Sequence, residues 1–354
     1  MKEHWENLQK LTAPLLLWYD LHRRTMPWRE KATPYRTWVS EIMLQQTRVS
    51  AVIPYFERFM AEVPDVEALA QLPQERLYKL WEGLGYYSRA RNLQRAAQTV
   101  MAQYGGEIPQ SVAQLKTLSG VGDYTAAAIA SIHFGVPVPA VDGNLLRVAA
   151  RVSGCTDDIS LSATKKKFTA YLADAIDRDA PGKYNQAMMD LGATVCLPNG
   201  KPLCACCPAR AFCAACRNHL EQILPVHAPK PPRKAEEKTV FLLVANGKIA
   251  TRKRPGKGLL ASLCEFPNVE GNLDEASAKI VLAQWGFEVK NLAPIGSAKH
   301  IFTHIEWQMK GYFAEVKQET DGFTWSDASA FSALPMPSAF RRFTSIAREK
   351  LEAI

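Results

Sequence analysis

An all-α unit followed by a mixed α+β unit is the architecture the sequence predicts. Three observations carry it: a length of 354 residues, a run of four prolines within 225–232, and a change of hydrophobic periodicity across that run. Domains usually hold about 100–200 residues, so two are expected, each able to bury its own core. Apolar content of 47% and charged content of 22% mark a globular and not a disordered chain. The longest apolar run near the start, Leu15-Leu16-Leu17-Trp18-Tyr19, falls far short of the roughly 18 residues a membrane span needs. The polar opening Met1–Asn7 lacks the apolar core of a secretory signal. A cytoplasmic protein, nucleoid-associated if bacterial, is therefore expected. There cysteines stay reduced, and eight of them suggest metal binding more than disulfides. The net charge of +8 permits a polyanionic partner but does not demand one, and it is shared: +5 over 1–220 and +3 over 221–354.

Taken in order, the first informative segment is Trp38–Arg48, read as a helix. Glu41, Gln45 and Arg48 share one face at i, i+4 and i+7, and Trp38 and Ile42 share another. Such a polar stripe is ordinarily solvated. If it lines a cleft, apolar neighbours raise the pKa of Glu41, which suits a general acid. Leu93, Ala97, Val100, Met101 and Tyr104 then form the apolar stripe of a second helix. Leu118-Ser119-Gly120-Val121-Gly122-Asp123-Tyr124-Thr125 joins two helical segments. Its glycines permit a sharp turn with N–H groups facing outward at the next helix, a sequence-independent phosphate site or an ordinary helix–turn–helix joint. The small residues Ala126–Ala130 allow close helix packing. Val141-Asp142-Gly143-Asn144 opens another helix, where Asp142 is a plain N-cap or a carboxylate aimed into a groove. One raised and one ionised carboxylate is the arrangement that cleaves glycosidic bonds through an oxocarbenium-like state. Asn185–Val195 is again helical.

Cys196-x7-Cys204-x2-Cys207-x5-Cys213 places four thiolates in eighteen residues. Clustered thiolates suit zinc or an iron–sulfur cluster. The lopsided spacing wraps a larger object better than paired zinc knuckles, which favours [4Fe–4S]. The segment is polar and proline-rich and offers little core to bury free cysteines. Cys206 and Cys216 are surplus; Cys206 can in principle replace Cys204 or Cys207, though Cys207-Pro208 fits the tightest loop. Leu224–Lys234 follows as a semi-rigid extended linker. Beyond it, Thr239–Ala245 is a strand ended by the turn Asn246-Gly247, and Trp307–Val316 is another. Helical patches lie near Leu273–Trp285 and Phe340–Ile354. The boundaries expected are 1–220 for the helical unit with its cluster loop at 196–213, 221–237 for the linker and 238–354 for the second domain.

The hairpin, the Asp142 region and the cysteine window together resemble the helix–hairpin–helix DNA glycosylase superfamily, in its endonuclease III branch. Pro27-Trp28-Arg29, Ser40–Thr47 and Gly83–Leu93 resemble the MutY-type adenine DNA glycosylases within it. The resemblance implies a monofunctional glycosylase acting in base excision repair. Glu41 matches the acid that protonates N7 of an extruded adenine, and Asp142 the carboxylate that stabilises the sugar cation. Asn144 matches a group orienting Asp142 or the water. Tyr124 stands where lyase-active relatives carry a lysine, so no Schiff base is expected. Gln46 and Tyr86 match wedges in the base stack, with Gln45, Thr47 and Leu84 in the same motifs. Trp28 and Arg29 lie near the adenine pocket, Gly120 and Gly122 serve phosphate, and Lys201 lies in a loop that approaches the DNA backbone. The cluster ligands carried over are Cys196, Cys204, Cys207 and Cys213. The first gap is seven residues where the family usually has six, and Ser119 replaces the hairpin's usual proline.

The second domain resembles a Nudix-like module that reads 8-oxoguanine. Gly258–Pro267 carries its signature with Cys264 in place of a tryptophan, and Phe302-Thr303-His304 matches a Phe-Ser-His recognition loop. The segment after Pro267 lacks the glutamate-rich helix of a working Nudix hydrolase, so binding and not hydrolysis is expected. The partner implied is duplex DNA with A·8-oxoG or A·G mispairs, bound by a monomer without a membrane. Two other readings share the motifs. A pyrimidine-lesion glycosylase with lyase activity is opposed by Tyr124 and the extra domain. A non-catalytic lesion sensor is opposed by the presence of both Glu41 and Asp142.

Overall fold

The computed structural model describes residues 2–229 and 232–352. Linker residues Lys230 and Pro231, and the last residues of the expected C-terminal helix, Ala353 and Ile354, lie outside the described residues. The chain divides into two compact units, Met1–Gln71 with Asn92–Pro229, and Leu72–Arg91 with Lys230–Ile354. The helical unit expected over 1–220 therefore gives up residues 72–91. Hydrogen bonds accompany the regrouping. Lys79 Nζ donates to the Ser332 carbonyl at 2.7 Å, and an Arg91 guanidinium nitrogen donates to the Ala261 carbonyl at 2.6 Å.

The first unit is helical. Its long helices include Lys2–His22, Pro34–Leu44, Val49–Glu62, Asp123–Phe134, Gly143–Ser153, Ser162–Ala175 and Pro181–Thr194. One core draws Leu8, Leu11 and Leu15 from the first of these, Val148 and Val152 from Gly143–Ser153, and Met188 and Leu191 from Pro181–Thr194. Each fully buried side chain of this kind contributes roughly 1.5–3 kcal/mol. The small residues of Asp123–Phe134 let it approach Pro181–Thr194 so closely that a Cβ on Gly182 would sit 2.6 Å from Ile132 Cα. Cys196, Cys213, Ala209 and Ala215 also belong to this core. The cysteine window is thus not the core-poor segment its composition suggests; Ala209 and its two end cysteines face inward.

The second unit is built on a seven-stranded sheet of order β3-β2-β1-β6-β5, with β4 beside β1 and β7 beside β2. The strands are β1 (Lys234–Ala245), β2 (Lys248–Lys253), β3 (Cys264–Glu265), β4 (Asn268–Glu270), β5 (Val289–Ile301), β6 (Ile305–Val316) and β7 (Thr324–Ser326). β1 and β6 run parallel from Lys234↔Ile305 to Val244↔Glu315. The apolar run in β1 is continuous because both faces are covered. Val240, Leu242 and Val244 enter a core shared with Phe343 and Ala347 of helix Arg341–Glu352. Phe241, Leu243 and Ala245 enter another shared with Ala278 and Leu282 of helix Glu275–Gln284. β5 and β6 form an antiparallel hairpin whose tip is Phe302-Thr303-His304. Among the described residues no helix is long and apolar enough to cross a membrane.

Candidate active site and thiol cavity

Glu41 rides on helix Pro34–Leu44, which starts with Pro34 in its first turn and Thr33 Oγ1 accepting from the Arg36 amide at 3.1 Å. The sequence predicts a helix through Arg48, but this one ends at Leu44. Gln45 leaves the helical region, and Gln46 adopts a left-handed backbone with φ of 58°. Arg48 then precedes the next helix, Val49–Glu62. The stripe of Glu41, Gln45 and Arg48 therefore does not form. Glu41 is instead only 7% exposed, inside the first unit.

Asp142 is both of the things its sequence allowed. It caps helix Gly143–Ser153, with Oδ1 accepting from the Leu145 amide at 2.8 Å and Oδ2 from Asn144 Nδ2 at 2.7 Å. It also lines a cavity of about 1070 Å³ together with Glu41, Tyr124 and Asn144. Asn144 is held in turn, since its Oδ1 accepts from the Arg147 guanidinium at 2.9 Å. Arg147 also donates to the carbonyls of Gly192 and Cys196, at 2.7 and 2.8 Å.

Tyr124 OH donates to Glu41 Oε2 at 2.6 Å. Burial raises the Glu41 carboxyl to about 7; the Tyr124 hydrogen bond opposes this, and the Asp142 charge adds to it. Burial, with the Glu41 charge beside it, also holds the Tyr124 phenol well above its usual range. Asp142 is raised by burial as well, but the Leu145 and Asn144 hydrogen bonds and the Arg147 charge oppose the rise. The cavity therefore holds one carboxyl that is half-protonated near neutrality and a second with donors arranged to favour its ionised form.

Trp28, Arg29, Gln45, Gln46 and Thr47 line the same cavity. Arg29 is aimed by Asp190, whose Oδ2 and Oδ1 accept from its guanidinium at 2.7 and 3.1 Å. Asp190 is fully buried and also accepts from Arg24 at 2.8 and 2.6 Å. Burial alone would raise its pKa, but the Arg29 and Arg24 guanidiniums outweigh burial and hold it below the usual carboxylate range. Sequence reasoning missed Asp190 and Arg24. The available signal was an acid between Met189 and Leu191 in an apolar helical stretch, where an uncompensated charge would be costly.

Other expected residues stand apart from this cavity. Gly120 has φ of 78° and a Cβ there would lie 2.8 Å from Asn92 Cβ, so the hairpin turn requires glycine. Gly122 precedes helix Asp123–Phe134 and offers no side-chain cap, which leaves its first amides free of a side-chain partner from Gly122. Lys201 is exposed. In the second unit Leu84 is buried at 6% exposure, whereas Tyr86 is exposed and carries a left-handed backbone with φ of 47°. A bulky residue there is strained, and strain gathers where a side chain must be presented. The Tyr86 hydroxyl and Thr303 Oγ1 are hydrogen-bonded at 2.8 Å. Phe302 packs between His300 and Trp307 at ring separations of 4.5 and 4.9 Å, leaving Thr303 and His304 exposed.

A separate cavity is lined by the thiols of Cys196, Cys204, Cys207, Cys213 and Cys216. An Arg151 guanidinium nitrogen lies 3.3 Å from Cys196 Sγ, and backbone amides of Ala209 and Ala215 face the Cys207 and Cys213 thiols. Burial, then the neighbouring Cys216, raises Cys204 to about 11; burial and the adjacent thiols raise Cys207 to about 12. Thiolates crowded this way require a cation to ionise together, and an all-sulfur donor set fits a soft metal or iron–sulfur cluster. Cys206 is exposed and its thiol donates to the Leu203 carbonyl at 3.3 Å. It does not line the cavity, so it is not a substitute for Cys204 or Cys207.

Comparison with known proteins gives concordant matches. Residues 39–174 match the HhH-GPD superfamily of base excision DNA repair proteins, and residues 239–345 match the NUDIX domain. The adenine DNA glycosylase of Homo sapiens is 33% identical, over 93% of this chain and 72% of that protein. That of Buchnera aphidicola subsp. Baizongia pistaciae (strain Bp) is 32% identical, over 82% of each. A solved structure of a thermostable thymine-DNA glycosylase superposes with a TM-score of 0.55 and 26% identity, over 60% of this chain and 98% of that one.

Proposed function

The chain belongs to the adenine DNA glycosylases of base excision repair, and from that premise we propose how its residues release the base and which adenine they select. The substrate is adenine opposite 8-oxoguanine or guanine in duplex DNA. Gln46 and Tyr86 wedge the stack, and the adenine enters the cavity between Trp28, Arg29 and the carboxylates. Glu41 protonates N7, which weakens the N-glycosidic bond. Asp142 faces the cationic sugar as the bond breaks, and Asn144 holds that carboxylate while water adds. Tyr124 keeps Glu41 in place and offers no amine, so the product is an abasic site and not a Schiff base. The free amides at the start of Asp123–Phe134 meet a phosphate. Both carboxylates come from one chain, which supports action as a monomer.

The observation that carries this reading is the pair of buried carboxyls lining one cavity, Glu41 raised to about 7 by burial and Asp142 held by donors that oppose its rise. Single-turnover adenine release from an A·8-oxoG duplex, with A·T as control, tests it. Release from neither duplex would sink it. The rate is also expected to fall as pH rises through about 7, where Glu41 loses its proton, and to fall again in acid as Asp142 gains one. A rate that climbs through pH 7 would remove Glu41 from the acid role.

The Phe302-Thr303-His304 tip supports the reading of 8-oxoguanine. Its exposed hydroxyl and imidazole supply a donor and an acceptor, matching the N7–H and O8 by which 8-oxoguanine differs from guanine. Tyr86 is bonded to Thr303 at that tip. His304→Ala is expected to lower A·8-oxoG preference over A·G by about tenfold, the scale of one hydrogen bond to a charged or polar partner. Equal losses on both duplexes would count against recognition. The thiol cavity supports a [4Fe–4S] cluster on Cys196, Cys204, Cys207 and Cys213. Once bound, the cluster supplies a covalent cross-link that fixes the Lys201 loop, and it takes no part in bond cleavage.

A further inference from the structure

Four ligands complete a [4Fe–4S] site, yet the cavity has five thiols. Cys216 lies three residues beyond Cys213 on the short helix Ala214–Arg217. Its backbone amide faces the Cys213 thiol. Its own Sγ, Cys204 Sγ and a Glu221 carboxylate oxygen all lie within 4.8 Å of one another. It is half-buried against the core of the first unit and lines the cavity. The Cys204 corner of the site therefore has a second thiol beside it.

We propose that Cys216 is a reserve cluster ligand, placed to bind the iron that Cys204 holds whenever that thiolate is lost. The proposal rests on the cluster reading above. The exchange breaks the Cys204 sulfur–iron bond and forms a Cys216 sulfur–iron bond. Cys216 gives its thiol proton to solvent, the departing Cys204 thiolate takes one up, and no electron changes hands. Glu221 is the poorer candidate at this corner, since iron in such clusters prefers sulfur to a carboxylate oxygen. Cys216 also neighbours Cys213, but among the described residues it is with Cys204 and Glu221 that its thiol forms one close group. Cys206 points to the Leu203 carbonyl, and Cys155 and Cys264 do not line the cavity.

The test is iron and sulfide content, with visible charge-transfer absorption, of anaerobically purified full-length protein. Wild type and Cys216→Ser are expected to carry about four irons per chain, the [4Fe–4S] stoichiometry. Cys204→Ser is expected to retain more than half of that iron, with a shifted absorption. Cys204→Ser/Cys216→Ser is expected to fall at least tenfold, as is Cys196→Ser, which has no spare thiol. A Cys204→Ser protein that is insoluble, or as depleted as the double variant, overturns the reserve-ligand role alone. Wild type that is iron-free or loaded with zinc overturns the cluster reading, and the proposal with it.

Discussion

The Glu41→Gln protein is expected to lose adenine release while melting at a higher temperature than wild type above pH 7. The two effects share one cause. Glu41 is buried beside Tyr124 and near Asp142, and burial raises its carboxyl from 4.5 to about 7. That is useful for an acid near neutrality, and loss of general acid catalysis costs about 10²–10⁴-fold in rate. It is also a burden on the fold. A raised folded pKa means the wild-type protein is favoured by Glu41 below the unfolded value, and loses that contribution as pH rises through about 7. A difference of this size corresponds to at most about 3 kcal/mol. Glutamine keeps the shape, can still accept from Tyr124 OH, and never ionises. The gap in melting temperature should therefore open between pH 5 and 7 and stay constant above. Single-turnover release on A·8-oxoG duplex and thermal melts across that range read both effects. Full activity in Glu41→Gln, or a melting curve that tracks wild type at every pH, would remove Glu41 from this role.

Residues read from motifs and residues read from the fold divide along physical lines. The four cysteines stand out by clustering alone, whereas Glu41 and Asp142 each have a plain local reading, a solvated stripe and an N-cap, and are singled out by the motifs around them. Two of the seven strands of the second unit were legible, Trp307–Val316 and Thr239–Ala245, the latter because burial on both faces leaves a β-rich apolar run; β5, which has no buried residues along Val289–Ile301, was not. What stayed hidden depends on distant chain. Helix Pro34–Leu44 ends four residues early because Gln46 takes a left-handed turn, and periodicity alone cannot register a residue that leaves the helix while keeping the spacing. The regrouping of 72–91 comes with hydrogen bonds to residues more than a hundred positions away. The cysteine window reads as polar, yet its end cysteines join the core, because Val148, Arg151 and Val152, which lie beside them, are on the distant helix Gly143–Ser153.

Asp190 is the sharpest of the hidden residues, and Asp190→Asn carries the second large expectation. Its carboxylate is fully buried and accepts from two guanidiniums: Arg24 at 2.8 and 2.6 Å, and Arg29 at 2.7 and 3.1 Å. Asparagine retains one acceptor but removes the negative charge and turns an amide donor toward a cation. Two partly buried guanidiniums then lack a counter-charge. Breaking such a buried pair costs about 3–5 kcal/mol, which in a unit of this size lowers the melting temperature by roughly 6–20 °C. The sign with pH is the reverse of that for Glu41. Asp190 is held below the usual carboxylate range, so its contribution is complete above the unfolded value. It is lost as pH falls through the lower folded one, and the penalty of Asp190→Asn should shrink in acid. Function should suffer even where the variant is folded, because Arg29 lines the cavity and loses the group that aims it. The expected pattern is a lower melting temperature at pH 7, a smaller difference near pH 3, and slower single-turnover release at a temperature where the variant is native. A variant within 2 °C of wild type at pH 7 would show that the two arginines find other partners, and that the carboxylate does not hold this wall of the cavity.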